Sequence, residues 1–255
     1  MNAATPSLIA LIPARAGSKR VPHKNVRRLG QHPVIAYSIS AAKASGVCGA
    51  VLVSTDSPHY ADIARHYGAE VLMRPAEIAG DASPDIEWIA YTLKHLAAQG
   101  RPFDCFSILR PTSPFRTGET IRRAWEAFRG EPGVDSLRAV ERVKQHPGKM
   151  WVVRGGRMYP LLPLSPEEQP WHSSQTNTLP VVHVQNASLE IAWSRVTLEG
   201  RTIAGVSIMP FLTQGSEGLD VNDESDWARA EQLLRSGEAR LPDVNVPQWS
   251  GPLPT

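Results

Sequence analysis

Short apolar runs alternate with stretches of helical period through the first half of the chain. "LIALI", "AVLVST", "EVLM" and "FDCFSIL" are unbroken or nearly unbroken apolar runs and predict buried strands. Between them, "PVIAYSISAAKAS" closed by Gly46, "PHYADIARHYG", "SPDIEWIAYTLKHLAAQG" and "TGETIRRAWEAFRG" place apolar residues three and four apart and predict amphipathic helices. Strand and helix in strict alternation predict an α/β fold whose mostly parallel sheet is covered by helices. In such a sheet the ligand crevice lies at the carboxyl ends of the strands. The polar loops "PARAGSKRVPHKN", "STDSP" and "RPTSPFR" each follow a strand directly and are the places to look for chemistry.

The alternation stops at Ser136, and to about Pro180 the chain is rich in Pro, Gly and Trp, a pattern of hairpins and an extended arm. Order resumes with "SLEIAWSRV" and "TIAGVSIM" as strands and "NDESDWARAEQLLRSG" as a last helix, which Asn222 and Asp223 both suit as N-cap. The ending "LPDVNVPQWSGPLPT" is a Pro-rich tail, ordered or frayed. The expected organisation is one domain over 1–255, with 141–180 inserted as an arm for dimerisation or substrate contact.

Composition narrows the class. With 255 residues, 27 basic and 25 acidic, the net charge of +2 demands neither nucleic acid nor an anionic membrane as partner. Cys48 and Cys105 stand alone among small or apolar residues, so free thiols are expected and no disulfide framework or CxxC metal knuckle is present. The start lacks a signal-peptide pattern, and "LIALI" is far shorter than the ~20 residues of a membrane span. A soluble cytoplasmic protein is the expectation.

The first loop, "IPARAGSKRVPHKN", carries Arg15, Lys19, Arg20 and Lys24 around a turn at Gly17 and Ser18. It matches neither GxxxxGK[ST] nor GxGxxG. Small residues still let backbone N–H groups approach an anion while Lys and Arg neutralise it, so a phosphate site and a solvated basic loop are the two readings.

The same loop, followed by "HPVIAYSI", resembles the N-terminal signature of the acylneuraminate cytidylyltransferases, which activate sialic acid and related 3-deoxy-2-keto sugar acids as CMP-sugars. The blocks "VLVSTDS", "GAEVLMRPAEIAGD", "LRPTSPFR" and "GLDVNDESDWARAEQLL" continue the resemblance in order, from about Ile9 to Leu234. It implies a nucleotide-diphospho-sugar transferase-like (Rossmann-like) fold, CTP and a sugar-acid acceptor as partners, Mg²⁺ as cofactor, and a homodimer whose arm reaches toward the partner's site.

Residue by residue, the resemblance implies that backbone near Ala14 meets the base. It sets Arg15, Ser18, Lys19, Lys24 and Asn25 at the triphosphate, with Arg20 and His23 in solvent. Arg74 matches the arginine that reads the cytosine edge, a role suited to a pure donor fork; its other reading is a surface ion pair with Glu77. Ser83 is a further nucleotide contact, unless Asp85 occupies that register. Asp220 and Asn222 match the metal-binding block, where Asn222 contributes only a neutral carbonyl in place of a second acid. Arg15, Lys24 and Asp220 are the expected catalytic groups.

Two departures concern the acceptor. Arg110 stands where sialic acid enzymes typically have Gln, and is expected either on the acceptor carboxylate or on the triphosphate, with Thr112 and Ser113 as possible hydroxyl ligands. Arg116 is read either as a site residue or as a charge in solvent. In "SSQTNTLPVVHVQNASLEIAW", Gln175 and Asn186 remain as acceptor ligands while both family arginines are absent, which puts N-acetylneuraminate itself in doubt. His172 and His183 are acceptor contacts or merely structural and exposed. The competing readings are a metal-dependent glycosyltransferase, a transferase for another acid such as 3-deoxy-octulosonate, and a nucleotide-binding module without catalysis.

Overall fold

The computed structural model describes residues 5–18, 20–163 and 165–253. In chain order the strands are β1 (Leu8–Pro13), β2 (Arg28–Leu29), β3 (His32–Pro33), β4 (Ala50–Thr55), β5 (Glu70–Met73), β6 (Cys105–Ile108), β7 (Ser136–Arg142), β8 (Trp151–Arg154), β9 (Arg157–Pro160), β10 (His183–Trp193) and β11 (Ile208–Leu212). The helices are α1 (Val34–Ser45), α2 (Pro58–His66), α3 (Asp85–Ala98), α4 (Gly118–Gly130), α5 (Ser194–Glu199) and α6 (Glu224–Ser236). By internal contacts the chain divides into two compact units, 1–139 with 186–255, and 140–185.

The first unit is built on a seven-stranded sheet in the order β11-β7-β10-β6-β1-β4-β5. β6, β1, β4 and β5 are mutually parallel, and β10 joins β6 antiparallel with Glu190 opposite Ile108. β1 lies inside the sheet, between β6 and β4, and both of its faces are apolar. Leu8, Ala10 and Ile12 enter one core with α1, α2 and α4, while Ile9 and Leu11 enter a second core with Trp88, Leu93 and Leu96 of α3. This two-residue alternation between two buried faces is why the run "LIALI" shows no polar position.

Helix ends follow local chemistry. Gly46 closes α1 at φ +70°, where a side chain would be strained. Thr117 and Thr120 form a reciprocal cap on α4, and Gly118 lies so close to the end of α1 that an added Cβ would stand 2.9 Å from the Ala44 carbonyl carbon and the Ser45 amide. On α6 the N-cap is Asp223, whose carboxylate accepts from Ser225 and Asp226, and Asn222 stands outside the helix.

Three expectations change. The segment from Ser136 to Arg142 is a strand of the main sheet, because Leu137 and Ala139 bury one face. "SRV" after "SLEIAW" starts the short helix α5, and "TIAGVSIM" yields strand only from Ile208, since Gly205 turns the backbone at φ +71°. The Pro-rich tail is ordered along α2: the Trp249 amide donates to the Tyr67 hydroxyl at 3.1 Å, and His66 Nε2 donates to the Pro247 carbonyl at 2.8 Å.

The second unit contains the hairpin β8–β9, turned by Gly155 and Gly156, both with positive φ. Within it, His146 Nε2 donates to the Pro180 carbonyl at 2.9 Å and His172 packs on Trp151. Both thiols are free, and burial pushes Cys48 up to about 11 and Cys105 up to about 12, so neither is a nucleophile at neutral pH. Among the described residues no helix is long and apolar enough to cross a membrane.

Candidate functional site

The loops after β1, β5 and β6 leave the same edge of the sheet because those strands are parallel, and together with the segment before α6 they enclose a cleft of about 650 Å³. Arg15, Ser18, Lys24 and Asn25 line it from the first loop, Arg74, Ser83 and Asp85 from the second side, Arg110 and Thr112 from the third, and Asp220 and Asn222 from the last. Lys19 lies outside the described residues.

Hydrogen bonds hold the first loop in shape. The Ala14 amide donates to the Ser54 carbonyl at 2.9 Å, the Ala16 amide donates to Asp56 at 2.8 Å, and Asn25 Nδ2 donates to the Arg15 carbonyl at 3.0 Å. Ala14 is fully buried and absent from the cleft lining, and its N–H is committed to the sheet. Asn25 faces the cleft but also pins the loop that carries Arg15. Arg15 pairs with Asp81, a cleft residue that sequence reasoning did not single out. Arg20 is exposed at the cleft rim, whereas His23, expected in solvent, is half-buried with its ring nitrogen 2.9 Å from the Tyr60 hydroxyl.

Lys24 Nζ donates to the Val221 carbonyl at 3.0 Å and so bridges the first loop to the Asp220 segment. Burial pulls its pKa below the ordinary lysine value, against the opposing pull of Asp220. Val221 in turn donates its amide to the Thr112 carbonyl at 2.8 Å, which brings the third loop to the same point. Asp220 Oδ2 accepts from Asn222 Nδ2 at 2.8 Å, while Asp220 Oδ1 is buried without a hydrogen-bond partner. A buried carboxylate oxygen left open in a cleft of cations is suited to a hard cation; among the described residues no cluster of three or more metal-ligating side chains exists.

Arg74 is buried, lies over the Trp88 ring at 5.0 Å, and donates from Nε to Ser54 Oγ at 3.2 Å. Burial pulls it down to about 10, opposed by Asp56 and Asp85. It makes no ion pair with Glu77 among the described residues, so the surface-pair reading is set aside. Arg110 pairs with Asp85 at 2.6 Å and with Glu190 at 3.1 Å. Burial disfavours the Asp85 carboxylate, but Arg110 beside it and the hydrogen bonds from Arg110 and Trp88 outweigh that and hold it below the usual carboxylate range.

Several expected ligands lie elsewhere. Arg116 is fully buried: it donates to the Ser188 carbonyl, to Ser38 Oγ at 2.8 Å and to the Arg110 carbonyl at 3.3 Å, so the solvent reading fails and its work is to brace the third loop. Burial pulls it down to about 9. Ser113 is buried outside the cleft lining. Asn186 is also outside it, donating to Thr213 Oγ1 at 3.0 Å and accepting from the Ser188 amide; its neighbour Ala187 is the residue at the cleft. Gln175 belongs to the second unit, where it is exposed and its carbonyl accepts from Thr178; His183 is exposed as well. Glu190 and Arg138 were not foreseen. Their signal was an acid at an inward position of the apolar strand "SLEIAW", on the face that Ala192 shares with the α3 core.

Comparison with known proteins places this cleft in context. A family model described as cytidylyltransferase matches residues 9–140. The chain is 34% identical over 239 residues to the CMP-N,N'-diacetyllegionaminic acid synthase of Legionella pneumophila, covering 92% of this chain and 99% of that protein. It is 30% identical over 223 residues to the N-acylneuraminate cytidylyltransferase of Escherichia coli, covering 88% of this chain but only 51% of that longer protein. Among solved structures, a CMP:2-keto-3-deoxy-manno-octonic acid synthetase complexed with CTP superposes with a TM-score of 0.64 at 14% identity, over 91% of this chain and 99% of that one. The 4-diphosphocytidyl-2C-methyl-D-erythritol synthase of Anaerococcus prevotii superposes with a TM-score of 0.63 at 11% identity, over 90% and 96%. These two likenesses speak to fold alone. The match of a family model to more than half of the chain, and of a relative along nearly its whole length, places the chain in the cytidylyltransferase family, among the acylneuraminate cytidylyltransferases.

Proposed function

We propose that this protein transfers CMP from CTP to a nonulosonic acid, a sialic-acid-like 2-keto-3-deoxy sugar acid, giving the CMP-sugar and diphosphate. The observation that carries the reading is the cleft itself: Arg15, Ser18, Lys24 and Asn25 converge with Asp220 at the carboxyl ends of the parallel strands. The full-length relative of Legionella, named as a synthase of a CMP-nonulosonic acid, supports the acceptor class.

The anomeric hydroxyl of the acceptor attacks the α-phosphorus in line. A new P–O bond forms, the α–β bridge breaks, and diphosphate leaves with the charge. Chemistry of this kind is mainly positioning and charge stabilisation, so no protein nucleophile is required. Arg15 and Lys24 stabilise charge moving onto diphosphate, and Arg74 offers its donors to the cytosine acceptors. Asn25 and Asp56 hold the loop backbone in place. Asp220 is the candidate to take the hydroxyl proton. For Mg²⁺, the open buried oxygen of Asp220 and the amide carbonyl of Asn222 fit a cation that takes one or two protein ligands with substrate oxygens and water. When bound, it supplies Lewis-acid polarisation of the α-phosphate.

We also propose a homodimer. The second unit exposes Val153 and Met158 on one face of its hairpin and Tyr159 on the other, apolar positions that a second copy would cover. Diphosphate release on mixing CTP with legionaminic, acylneuraminic, pseudaminic and 3-deoxy-octulosonic acids tests the reaction, with mass spectrometry identifying the CMP-sugar. Turnover of a nucleotide-sugar donor without diphosphate, or CTP binding with no product from any acceptor, would overturn it. Sedimentation as a monomer at micromolar concentration would overturn the dimer.

A further inference from the structure

Beneath the Arg110 side of the cleft lies a chain of ionic contacts that the reaction outlined above does not use. Trp88 Nε1 donates to Asp85 Oδ1 at 2.8 Å, Asp85 Oδ2 accepts from Arg110 Nη2 at 2.6 Å, and the same Nη2 reaches Glu190 Oε1 at 3.1 Å. The other oxygen of Glu190 pairs with Arg138 of β7. Sheet register explains the assembly. Glu190 sits opposite Ile108, and Arg110, two residues beyond Ile108, falls on the same face, diagonal to Glu190. Arg138 reaches that face from the strand on the other side of β10.

The members differ in access. Glu190 is 7% exposed and Arg138 11%, and neither lines the cleft; Arg110 is 27% exposed and does. Nη2 of Arg110 is therefore tied down by two carboxylates, while Nη1 and Nε make no hydrogen bond among the described residues and the side chain lines the cleft. The two N–H donors of Nη1, on a guanidinium already held through Nη2, offer a charge-assisted hydrogen bond to a carboxylate oxygen. The two carboxylates and two guanidiniums balance in charge, and Arg110 is the cationic member that lines the cleft. The triphosphate already has Arg15 and Lys24 of the first loop. The group left for Arg110 is the acceptor's acid.

We propose that Glu190, backed by Arg138, is a positioning residue that presents Arg110 to the carboxylate of the acceptor, and that this buried network determines the enzyme's preference for acids. The inference rests on the cytidylyltransferase reading above and identifies the residue behind its acceptor specificity. An arginine that must be ordered on binding loses rotamer entropy at that moment, whereas one already held does not, and a difference of about tenfold in acceptor affinity is the expected scale.

The test measures diphosphate release from CTP with a nonulosonic acid and with its C1 carboxamide, in the wild type, Glu190→Gln, Glu190→Asp and Arg110→Gln. Glu190→Gln is expected to raise the acceptor KM about tenfold while the CTP KM stays within about twofold, and to shrink the acid-over-amide ratio of kcat/KM by a similar factor. Glu190→Asp keeps the charge, but its shorter side chain does not span both arginines, so an intermediate ratio is expected; it serves if the Gln variant does not fold. Arg110→Gln should bring the ratio close to unity. If Glu190→Gln or Glu190→Asp lowers turnover of acid and amide equally, or moves the CTP KM instead, the residue is merely structural and the inference falls while the reaction stands. No diphosphate release by the wild type with any sugar acid would remove the reaction and the inference with it.

Discussion

Lys24 offers the sharpest quantitative test, because its ammonium joins two segments of the cleft through the 3.0 Å bond to the Val221 carbonyl. Lys24→Met removes the charge and keeps an unbranched stem of similar length. An ammonium about 4 Å from a phosphate charge gains ~4 kcal/mol at an effective dielectric near 20. Partial exposure of the site and screening by salt reduce this to about 2–3 kcal/mol. The expected loss is therefore about 30- to 150-fold in kcat/KM for CTP. The lost bond to Val221 costs about 1 kcal/mol of folding stability, too little to explain that fall. Diphosphate release at varied CTP reads the first quantity and urea unfolding the second. The pH dependence gives a separate readout. Because burial lowers the pKa of Lys24, the free enzyme loses this proton earlier on the alkaline side than an exposed lysine would. The unfolded chain holds the proton more tightly, so keeping Lys24 protonated in the folded state costs stability at neutral pH relative to its neutral form, and that cost is relieved as pH rises through the folded value. The wild-type kcat/KM for CTP should accordingly fall along an alkaline limb that the Met variant lacks. A change below about fivefold in kcat/KM, or the same limb in both proteins, would refute the assignment of Lys24 to the triphosphate.

Other substitutions separate chemistry from scaffold. Asp220→Asn should cut Mg²⁺-dependent turnover by at least about 100-fold while the unfolding midpoint is retained; wild-type rates at any Mg²⁺ concentration would sink the metal role. Arg116→Leu removes the donors to Ser188, Ser38 and Arg110, and should cost about 3 kcal/mol in urea unfolding, whereas a loss under about 1 kcal/mol would mean that the third loop does not depend on it. Gly118→Ala sets a Cβ 2.9 Å from the backbone of α1 and should destabilise by about 1–3 kcal/mol; unchanged stability would show that the two helices part without cost.

The fold was legible because burial on two faces leaves a plain mark. β4 and β5 stand at the expected residues, and the first four long helices lie within their predicted stretches, since unbroken apolar runs and 3.6-residue spacing are the direct consequence of a helix-covered parallel sheet. The reading faltered from Ser136 onward, where β7 lies beside β10, itself antiparallel to β6, and half-buried strands alternate too briefly to separate from turns. Family blocks indicated Arg15, Lys24 and Asp220 as cleft residues, and local sequence carries that much because each block is a strand end followed by its own loop.

Pairing between distant segments was not legible. Nothing in "RPTSPFR" tells that Arg116 is buried under the loop it follows while Arg110 faces the cleft, since both are arginines flanking the same turn. Glu190 acquires its meaning only when β10 is set antiparallel beside β6, which brings an acid 80 residues away to Arg110. The sequence by itself determined the layers of the sheet, the position of its loops and which of them carry cations. The tertiary structure decided which charges remain open to a ligand and which are spent on one another, because desolvation and partner geometry are set by residues far apart in the chain.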